Sequence, residues 1–196
     1  MIVEPKVQHA RVVMVGDSSV GKTSILNQLV DHTFNRFEQS TIGSNYQIFV
    51  EDVEDTKVEM QIWDTSGQEK FRSLGPIYFR NAIAAVVVYD QTSINSYEHI
   101  ERWIRDVTEV AGPSTIIAVA ANKSDLTNNA QVPFKEAENW AKSRGYIIMQ
   151  TSALSGFGVY PLFSKLAETI VKLQLKQIEI NGTDIERKDE NRPCAC

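Results

Sequence analysis

The segment Gly16 to Thr23 reads Gly-Asp-Ser-Ser-Val-Gly-Lys-Thr and matches the G-x-x-x-x-G-K-[ST] pattern of a phosphate-binding loop. Glycines let such a loop fold tightly, so that successive backbone N–H groups point at the oxygens of a polyphosphate. We expect Lys22 to reach the β- and γ-phosphates and the Thr23 hydroxyl to ligate Mg²⁺. A turn that fits by chance is the alternative, but a strand-like run precedes the loop and a helix-like run follows it. The predicted phosphate-binding residues of this loop are Ser19, Val20, Gly21, Lys22, Thr23 and Ser24.

The segment Asn122-Lys123-Ser124-Asp125 follows a later apolar run and carries groups that can select a purine base. The Asp125 carboxylate can accept hydrogen bonds from N1–H and the 2-amino group of guanine, whereas adenine offers neither donor on that edge. Asn122 can serve the other edge of guanine, and the stem of Lys123 can cover its ring. Farther along, a backbone N–H of the pair Ser152-Ala153 is expected to donate to the guanine oxygen. The alternative for Asn122 and Asp125 is an ordinary turn, in which both residue types are common.

The segment Asp64-Thr65-Ser66-Gly67-Gln68-Glu69 carries groups suited to the γ-phosphate. We expect Asp64 to hold Mg²⁺ through water, the N–H of Gly67 to bind the γ-phosphate, and Gln68 to orient the attacking water. Thr41, in a polar loop upstream, is well placed to close over Mg²⁺ and the γ-phosphate. Loss of that phosphate would release Thr41 and Gly67, so both loops would relax as a switch. We call the loop that contains Thr41 the first switch segment and the segment from Asp64 to Glu69 the second. Without the other motifs, Thr41 and Gln68 would be interpreted as solvated loop residues. The predicted catalytic residues are Gln68 and Lys22, and the predicted metal-binding residues are Thr23, Thr41 and Asp64.

The composition around these motifs is that of an ordinary globular domain. The chain has 196 residues, of which 42% are hydrophobic and 23% charged, enough for one domain with one sizeable core. Its net charge of -5 gives no electrostatic footprint for DNA or RNA, so no nucleic-acid partner is expected. We find no apolar run long enough to span a bilayer and no secretory signal. Both cysteines, Cys194 and Cys196, lie at the end of the chain, which fits a cytosolic protein in a reducing compartment.

Strand-like and helix-like runs alternate along the chain. A hairpin is predicted from Asn45 to Val50 and Val58 to Trp63, and further strands at Arg11 to Val15, Ala82 to Tyr89, Thr115 to Ala121 and Tyr146 to Thr151. Helices are predicted at Ser24 to Val30, Ser96 to Val110, Phe134 to Lys142 and Pro161 to about Gln177, with irregular segments at Asp31 to Gly43 and Asp64 to Arg80. This order predicts an α/β fold of the P-loop NTPase type. Its sheet is doubly wound, six-stranded and mainly parallel, with one antiparallel strand and helices on both faces.

The chain divides at about residue 178. Residues 1–178 are expected to form the nucleotide-binding domain. From about Glu179 onward the sequence loses apolar periodicity and is rich in charge, Asn and Pro. This composition predicts a disordered C-terminal tail over residues 179–196.

Taken together, the motifs make this sequence resemble the Ras superfamily and, within it, the Rab family of small GTPases, over roughly residues 9–176. The segments that carry the resemblance are Thr41-Ile42-Gly43, Gln61-Ile62-Trp63-Asp64-Thr65, Phe71-Arg72-Ser73-Leu74, Tyr78-Phe79-Arg80 and Val88-Tyr89-Asp90. The resemblance implies a GTP/GDP-controlled switch that hydrolyses GTP slowly and recruits effectors to membranes in intracellular vesicle trafficking. It also implies that Phe34 flanks the guanine ring. The aromatic patch implied for effector recognition consists of Tyr46, Trp63 and Tyr78, with ordinary packing as the alternative for these three side chains.

Three departures from the family pattern concern the site. Ser66 stands where the family usually has Ala, so a hydroxyl lies inside the second switch and the hydrolysis rate is open. Ser44-Asn45-Tyr46 replaces the usual Val-Asp-Phe, which affects the choice of effector. Leu154 replaces a usual Lys beside the base and weakens the support of the base-binding loop.

The C-terminal Cys194-Ala195-Cys196 looks like the double-cysteine ending on which Rab proteins receive two geranylgeranyl groups; two free thiols are the alternative. One lipid gives marginal membrane residence, whereas two give stable anchoring. The segment Asp184 to Arg192 mixes acidic and basic residues, so no polybasic patch assists the lipids. The resemblance implies the cytoplasmic face of an endomembrane, Golgi or endosome, with cycling through the cytosol.

Partners follow from the resemblance rather than from the residues. It implies a guanine-nucleotide exchange factor, a GTPase-activating protein, a GDP-dissociation inhibitor and effectors, acting on a monomer.

Three classes of function remain open at this point. The first is a hydrolysing switch, the second is a module that holds GTP permanently because Ser66 disables hydrolysis, and the third is a P-loop ATPase or small-molecule kinase.

Overall fold

The computed structural model describes residues 6–68 and 74–189, with side chains described as far as residue 175. Within these ranges six strands form one sheet: β1 Lys6–Val15, β2 Ser44–Val53, β3 Thr56–Thr65, β4 Ala84–Asp90, β5 Ile116–Asn122 and β6 Ile147–Gln150. The helices are α1 Lys22–Val30, α2 Gly75–Phe79, α3 Ile94–Glu98, α4 Ile100–Ala111, α5 Phe134–Ser143 and α6 Val159–Asp189, with a 3₁₀ turn at Thr127–Asn129.

The strand order is β2-β3-β1-β4-β5-β6, and every neighbouring pair is parallel except β2 and β3. The order reverses at β1, since the chain first adds β3 on one side of it and then β4 on the other. Ligands of such sheets bind in the crevice at the carboxyl ends of the strands, where the order reverses. The predicted fold class is confirmed, and the phosphate loop that follows β1 lies at this crevice.

Both faces of the sheet are buried because adjacent residues of the central strands are all apolar. On β1, Val12 and Met14 pack in the cluster formed with α1 and α6, whose contacts include Leu26 and Phe163. Val13 and Val15 point to the opposite face, where α4 supplies its apolar side chains. The α4 residues of that second cluster are Ile100, Trp103, Ile104 and Val107. The two helical layers therefore hold the strand ends, and the loops that follow them, in fixed positions.

The β2–β3 hairpin is longer than the sequence pattern predicts. Its strands pair from Ser44–Thr65 to Val53–Thr56 and leave only Glu54 and Asp55 in the turn, with Glu54 in the left-handed conformation at φ 51°. Polar pairs extend the ladder beyond its alternating part; the Lys57 ammonium, for example, lies 2.8 Å from the Asp52 carboxylate. Alternating hydrophobicity indicates which strand residues are buried, so the sequence pattern did not predict the solvent-facing ends of β2 and β3.

The helix predicted from Ser96 to Val110 is divided in the structure. α3 begins after Ser93, whose hydroxyl accepts a hydrogen bond from the N–H of Ser96, and it ends at Glu98. His99 joins α3 to α4 with backbone angles close to helical, φ -81° and ψ -7°. The apolar residues of α4 pack against the sheet. A one-dimensional periodicity does not reveal where the helix is interrupted.

α6 extends beyond the predicted end at Gln177 and runs to Asp189. The backbone of 179–189 is thus helical where a disordered tail was expected. Loss of apolar periodicity indicates that the helix is no longer buried, but it does not end the helix. A helix continues through residues of suitable propensity until a proline interrupts it, and Pro193 is the first proline after Pro161. The division at residue 178 stays a prediction. None of the helices in the described ranges has both the length and the hydropathy to cross a membrane.

The segment Asp64 to Arg80, predicted to be irregular, is partly regular. Asp64 and Thr65 complete β3, and α2 spans Gly75–Phe79. Phe71, Arg72 and Ser73, which contribute to the family resemblance, lie outside the described residues, as do Cys194 and Cys196.

Candidate functional site

A pocket of about 520 Å³ opens at the carboxyl edge of the sheet, with the phosphate loop at one end and the Asn122–Asp125 segment at the other. The predicted site residues that line it are Ser19, Gly21, Lys22, Thr23, Ser24, Phe34, Thr41, Gly67, Gln68, Asn122, Lys123, Asp125 and Ala153. Three further predicted residues lie beneath this lining, since Val20, Asp64 and Ser152 are 2%, 0% and 1% exposed. Residues far apart in sequence therefore converge on one cavity.

The phosphate loop is held in shape by a glycine and a lysine. Gly21 adopts φ 99°, and a Cβ at this position would lie 2.4 Å from the Asn122 amide, so only glycine fits. The Lys22 ammonium donates hydrogen bonds to the carbonyls of Gly16 at 2.9 Å and Asp17 at 2.8 Å. The lysine thus lies across the loop at the place where the loop amides would surround a phosphate.

Burial lowers the pKa of Lys22 to about 8, against the opposing influence of the Asp64 and Asp17 carboxylates. A desolvated ammonium pairs strongly with any anion that enters the pocket, because the surrounding protein screens the charges less than water does. The chemistry of this position suits a polyphosphate.

Three oxygen-bearing side chains meet beside Lys22. The Thr23 hydroxyl donates to Oδ2 of Asp64 at 2.6 Å and lies 2.9 Å from the Thr41 hydroxyl, which is itself 3.3 Å from Oδ2 of Asp64. The other oxygen, Oδ1 of Asp64, is buried and has no hydrogen-bond partner. Hydroxyl and carboxylate oxygens are the ligands that Mg²⁺ accepts in nucleotide sites. These residues fit a magnesium ion whose remaining ligands are phosphate oxygens and water.

Asp64 is desolvated, which raises the pKa of its carboxyl, while hydrogen bonds from Thr23 and Thr41 and the charge of Lys22 act in the opposite direction. A nearby cation is therefore the natural compensation for the buried Asp64 carboxylate.

The second switch segment touches the phosphate loop through Gly67. A Cβ on Gly67 would lie 2.4 Å from the Asp17 carbonyl and 2.6 Å from that of Gly16, so no side chain fits here. The preceding Ser66 donates its backbone N–H to the Gly43 carbonyl at 2.9 Å, which joins the two switch segments. The Ser66 hydroxyl also accepts the N–H of Gln68 at 3.3 Å. The hydroxyl that distinguishes this chain thus supports the backbone of the predicted catalytic Gln68.

The Asn122 amide joins three loops. It donates to the carbonyl of Val20 at 2.8 Å, and its oxygen accepts from the Thr151 hydroxyl at 3.2 Å and from the Ala153 N–H at 3.3 Å. Asn122 is 1% exposed. One amide hydrogen remains for the base, so most of its hydrogen bonds position the loops that form the pocket.

Asp125 is oriented by Ser152, whose hydroxyl donates to its Oδ1 at 2.6 Å. The backbone N–H of Ser152 donates to the carbonyl of Phe157 at 2.9 Å. The Ala153 N–H is also engaged, but its contact with Asn122 is longer, at 3.3 Å, and Ala153 lines the pocket, so Ala153 is the expected backbone donor and Ser152 contributes through its side chain. Oδ2 of Asp125 remains available for the two donors on one edge of guanine.

Lys123 has φ 63°, and its ammonium lies 2.7 Å from the Asp90 carboxylate. This ion pair fixes the end of the side chain, and Lys123 lines the pocket. Its covering of the base stays a prediction. Phe34, 38% exposed, and Leu154, 47% exposed, belong to the same lining. Leu154 supplies apolar surface where the family has an amine.

The aromatic patch formed by Tyr46, Trp63 and Tyr78 is continuous. Ring centroids are 5.3 Å apart for Tyr46 and Trp63 and 5.9 Å for Trp63 and Tyr78. The Arg11 guanidinium lies 4.4 Å from the Trp63 ring centroid and donates to the Tyr78 carbonyl at 3.1 and 3.3 Å. The patch lies beside both switch segments, and Tyr46 is 41% exposed.

Sequence reasoning missed several residues of the site. Thr151 and Asp90 support Asn122 and Lys123, and Arg36 also lines the pocket. Asp17 binds α4 through its carboxylate. Asp17 lies inside the loop motif and Asp90 inside the segment Val88-Tyr89-Asp90, but their side-chain partners are remote in sequence, so the sequence did not indicate these contacts.

Comparisons with known proteins agree with this geometry. The family model described as "Ras family" matches residues 11–172. The Ras-related protein Rab5A of Oryza sativa subsp. japonica is 35% identical over 187 residues, which covers 95% of this chain and 92% of that protein. The Ras-related protein Rab-4 of Dictyostelium discoideum is 36% identical over 195 residues, with 94% of this chain and 95% of that protein covered.

These matches decide among the three classes of function that the sequence left open, in favour of the hydrolysing switch. Ras-type proteins require GTP and GDP, act through regulators and effectors, and associate with membranes in their Rab branch. The chain belongs to the Ras family and, within it, to the Rab small GTPases, which hydrolyse GTP and act as switches in vesicle trafficking.

Proposed function

We propose that one Mg²⁺-bound guanine nucleotide occupies the pocket, with its phosphates on residues 19–24 and its base at Asp125. The observation that carries this proposal is that a single cavity joins Lys22 and Thr23 to Asn122, Asp125 and Ala153. Bound Mg²⁺ would neutralise phosphate charge, and Thr23, Thr41 and Asp64 are the residues to hold it.

Guanine is selected by Asp125, whose orientation Ser152 fixes. Asp125 is exposed in the structure, and a bound base would cover it. If that base were adenine, the covered carboxylate would lack donors for its free oxygen, at a cost of several kcal/mol. Phe34 and the stem of Lys123 flank the ring, and the Ala153 N–H donates to the guanine oxygen while releasing its 3.3 Å contact with Asn122.

In hydrolysis, Gln68 orients the attacking water and Lys22 stabilises the charge that develops on the phosphate oxygens. Thr41 and Gly67 contact the γ-phosphate and separate from the nucleotide after its loss, which relaxes both switch segments. Turnover is slow without an activating protein, and such a protein contributes a factor of about 10³–10⁵.

The partners extend this cycle. An exchange factor loads GTP, and effectors bind the aromatic patch while the switch segments are ordered. Geranylgeranyl groups on Cys194 and Cys196 anchor the chain to the cytoplasmic face of an endosomal or Golgi membrane. A GDP-dissociation inhibitor returns the monomer to the cytosol.

The test is equilibrium binding of fluorescent GDP and GTP to the purified chain in millimolar magnesium, followed by competition with unlabelled GDP, GTP and ATP. We expect guanine nucleotides to displace the probe and ATP to fail at about 10³-fold higher concentration. Absence of GDP and GTP binding by folded protein, or equal competition by ATP, would contradict the proposal. Single-turnover hydrolysis of bound GTP in the same preparation measures the slow basal rate.

A further inference from the structure

The Asp17 carboxylate lies in the phosphate loop but outside the lining of the nucleotide pocket, and it binds α4 instead. Its Oδ2 is 2.7 Å from Nδ1 of His99, and its Oδ1 accepts the indole N–H of Trp103 at 2.8 Å. Nη2 of Arg102 adds an ion pair at 3.5 Å. Side chains at the start of α4 and at its junction with α3 thus converge on one residue of the phosphate loop.

The backbone of the same residue belongs to the nucleotide site. The Asp17 carbonyl accepts a hydrogen bond from the Lys22 ammonium, and it lies so close to Gly67 that a Cβ there could not be accommodated. Movement of Asp17 would therefore displace an acceptor of Lys22 and the surface on which the second switch segment rests.

α4 itself packs against the residues that flank the switches. Trp103 is 5% exposed and lines a small cavity together with Gly43, Thr65, Ser66, Gly75, Tyr78 and Phe79. Its indole N–H needs an acceptor at this depth, and Asp17 is the acceptor that the fold supplies. The contact joins the phosphate loop to a helix that shares a cavity with Ser66 of the second switch segment.

A purely superficial ion pair would have little effect, since exposed pairs are worth about 0–1 kcal/mol. Two observations distinguish this contact from such a pair. The Asp17 side chain is only 23% exposed, and one of its donors is the neutral Trp103 indole, whose contribution salt does not screen. The charge-assisted bond to His99 is also short, which is typical of the stronger class of hydrogen bonds.

We propose that Asp17 is a positioning residue that ties the phosphate loop to α4, and that His99 and Trp103 are the donors through which α4 slows nucleotide release. A loop held in its binding conformation before the nucleotide arrives loses less conformational entropy on binding. The inference rests on the proposed function, because it concerns the retention of the same nucleotide.

The test measures the release of fluorescent GDP from the full chain after addition of excess unlabelled GDP in millimolar magnesium. Asp17→Asn and His99→Ala are expected to speed release by about 5- to 30-fold, because each removes a charge-assisted hydrogen bond. Trp103→Phe retains an aromatic ring but removes the N–H donor, and it is also expected to release GDP faster than wild type.

Two comparisons distinguish positioning from general loosening of the fold. His99→Asn keeps an N–H donor at the position of Nδ1 and should restore most of the slow release that His99→Ala loses. The double variant Asp17→Asn/His99→Ala should release GDP at the rate of Asp17→Asn alone, since members of one network are not additive. Glu98→Ala and Arg105→Ala change exposed residues beside these donors and serve as matched controls, with release unchanged.

Release within twofold of wild type for both Asp17→Asn and His99→Ala would overturn the inference while leaving the proposed function intact. Independent, multiplying effects in the double variant would also overturn it. If Asp17→Asn fails to fold, the GDP release rates of His99→Ala and His99→Asn decide instead. Equal release rates in these two variants would overturn the inference. Wild-type protein that binds no GDP would instead contradict the proposed function.

Discussion

The Ser152 hydroxyl donates a 2.6 Å hydrogen bond to the Asp125 carboxylate, although the two residues come from the loops after different strands. The Ser152 side chain is buried, and its oxygen also accepts the N–H of Ser155 at 3.2 Å. Base recognition is therefore prepared by two residues: Asp125 presents a free oxygen to the base, and Ser152 holds that carboxylate in place.

Ser152→Ala should weaken GDP binding by about 3- to 10-fold, because Asp125 loses a neutral donor worth roughly 0.5–1.5 kcal/mol. Equilibrium binding of fluorescent GDP measures the change. Ser155→Ala, an exposed serine in the same loop, is the matched control and should bind GDP as wild type does. Equal affinity in Ser152→Ala and wild type would show that Asp125 needs no such support.

Gln68→Leu should slow single-turnover GTP hydrolysis by about 10- to 100-fold, because the attacking water loses the side chain that orients it. Quenched-flow or filter assays on GTP-loaded protein give the rate. The rate of GDP release from the same variant is the internal control and should stay close to wild type. Hydrolysis at the wild-type rate would remove Gln68 from the mechanism.

Removal of magnesium by a chelator should speed GDP release by at least about 10-fold, because the metal, which Thr23 and Asp64 would hold, would neutralise phosphate charge. In Thr23→Ala this dependence should largely disappear, since the variant lacks the hydroxyl that lies 2.6 Å from Asp64. Release rates measured at several free magnesium concentrations test both statements. A full magnesium dependence in Thr23→Ala would exclude Thr23 from the metal site.

Arg11→Ala should lower the free energy of unfolding by about 1–2 kcal/mol, because the Tyr78 carbonyl loses two donors and Trp63 loses a cation above its ring. Urea unfolding at a fixed excess of GDP measures the loss, since bound nucleotide itself shifts stability. The exposed Arg105→Ala is the control and should stay within about 0.5 kcal/mol of wild type. A similar loss in both variants would contradict the assigned contacts.

Local motifs made much of the site predictable. The phosphate loop and the segment from Asn122 to Asp125 are contiguous, and their residue types follow from the groups they contact. The carboxyl ends of parallel strands bring such segments together, so the strand order predicted a common crevice. The fold class followed from the same alternation of strands and helices.

Contacts between distant residues were not predictable. Asp17 and Trp103 are 86 positions apart, and no periodicity indicates that an indole will donate to that carboxylate. The ends of β2 and β3 and the continuation of α6 beyond Gln177 were missed for a different reason. Apolar periodicity reports which residues are buried, whereas hydrogen-bonded ladders and helices continue through polar residues.

The central claim is that one carboxylate, Asp125, selects the purine of a nucleotide whose phosphates lie on the loop containing Lys22. The direct measurement is competition between guanosine and xanthosine diphosphates for wild type and Asp125→Asn in millimolar magnesium. Xanthine carries a carbonyl where guanine carries its 2-amino group, so an amide at this position can donate to it. We predict that wild type prefers GDP and that Asp125→Asn shifts the preference toward xanthosine diphosphate by about 10²-fold or more. An unchanged preference for GDP in folded Asp125→Asn would contradict the account.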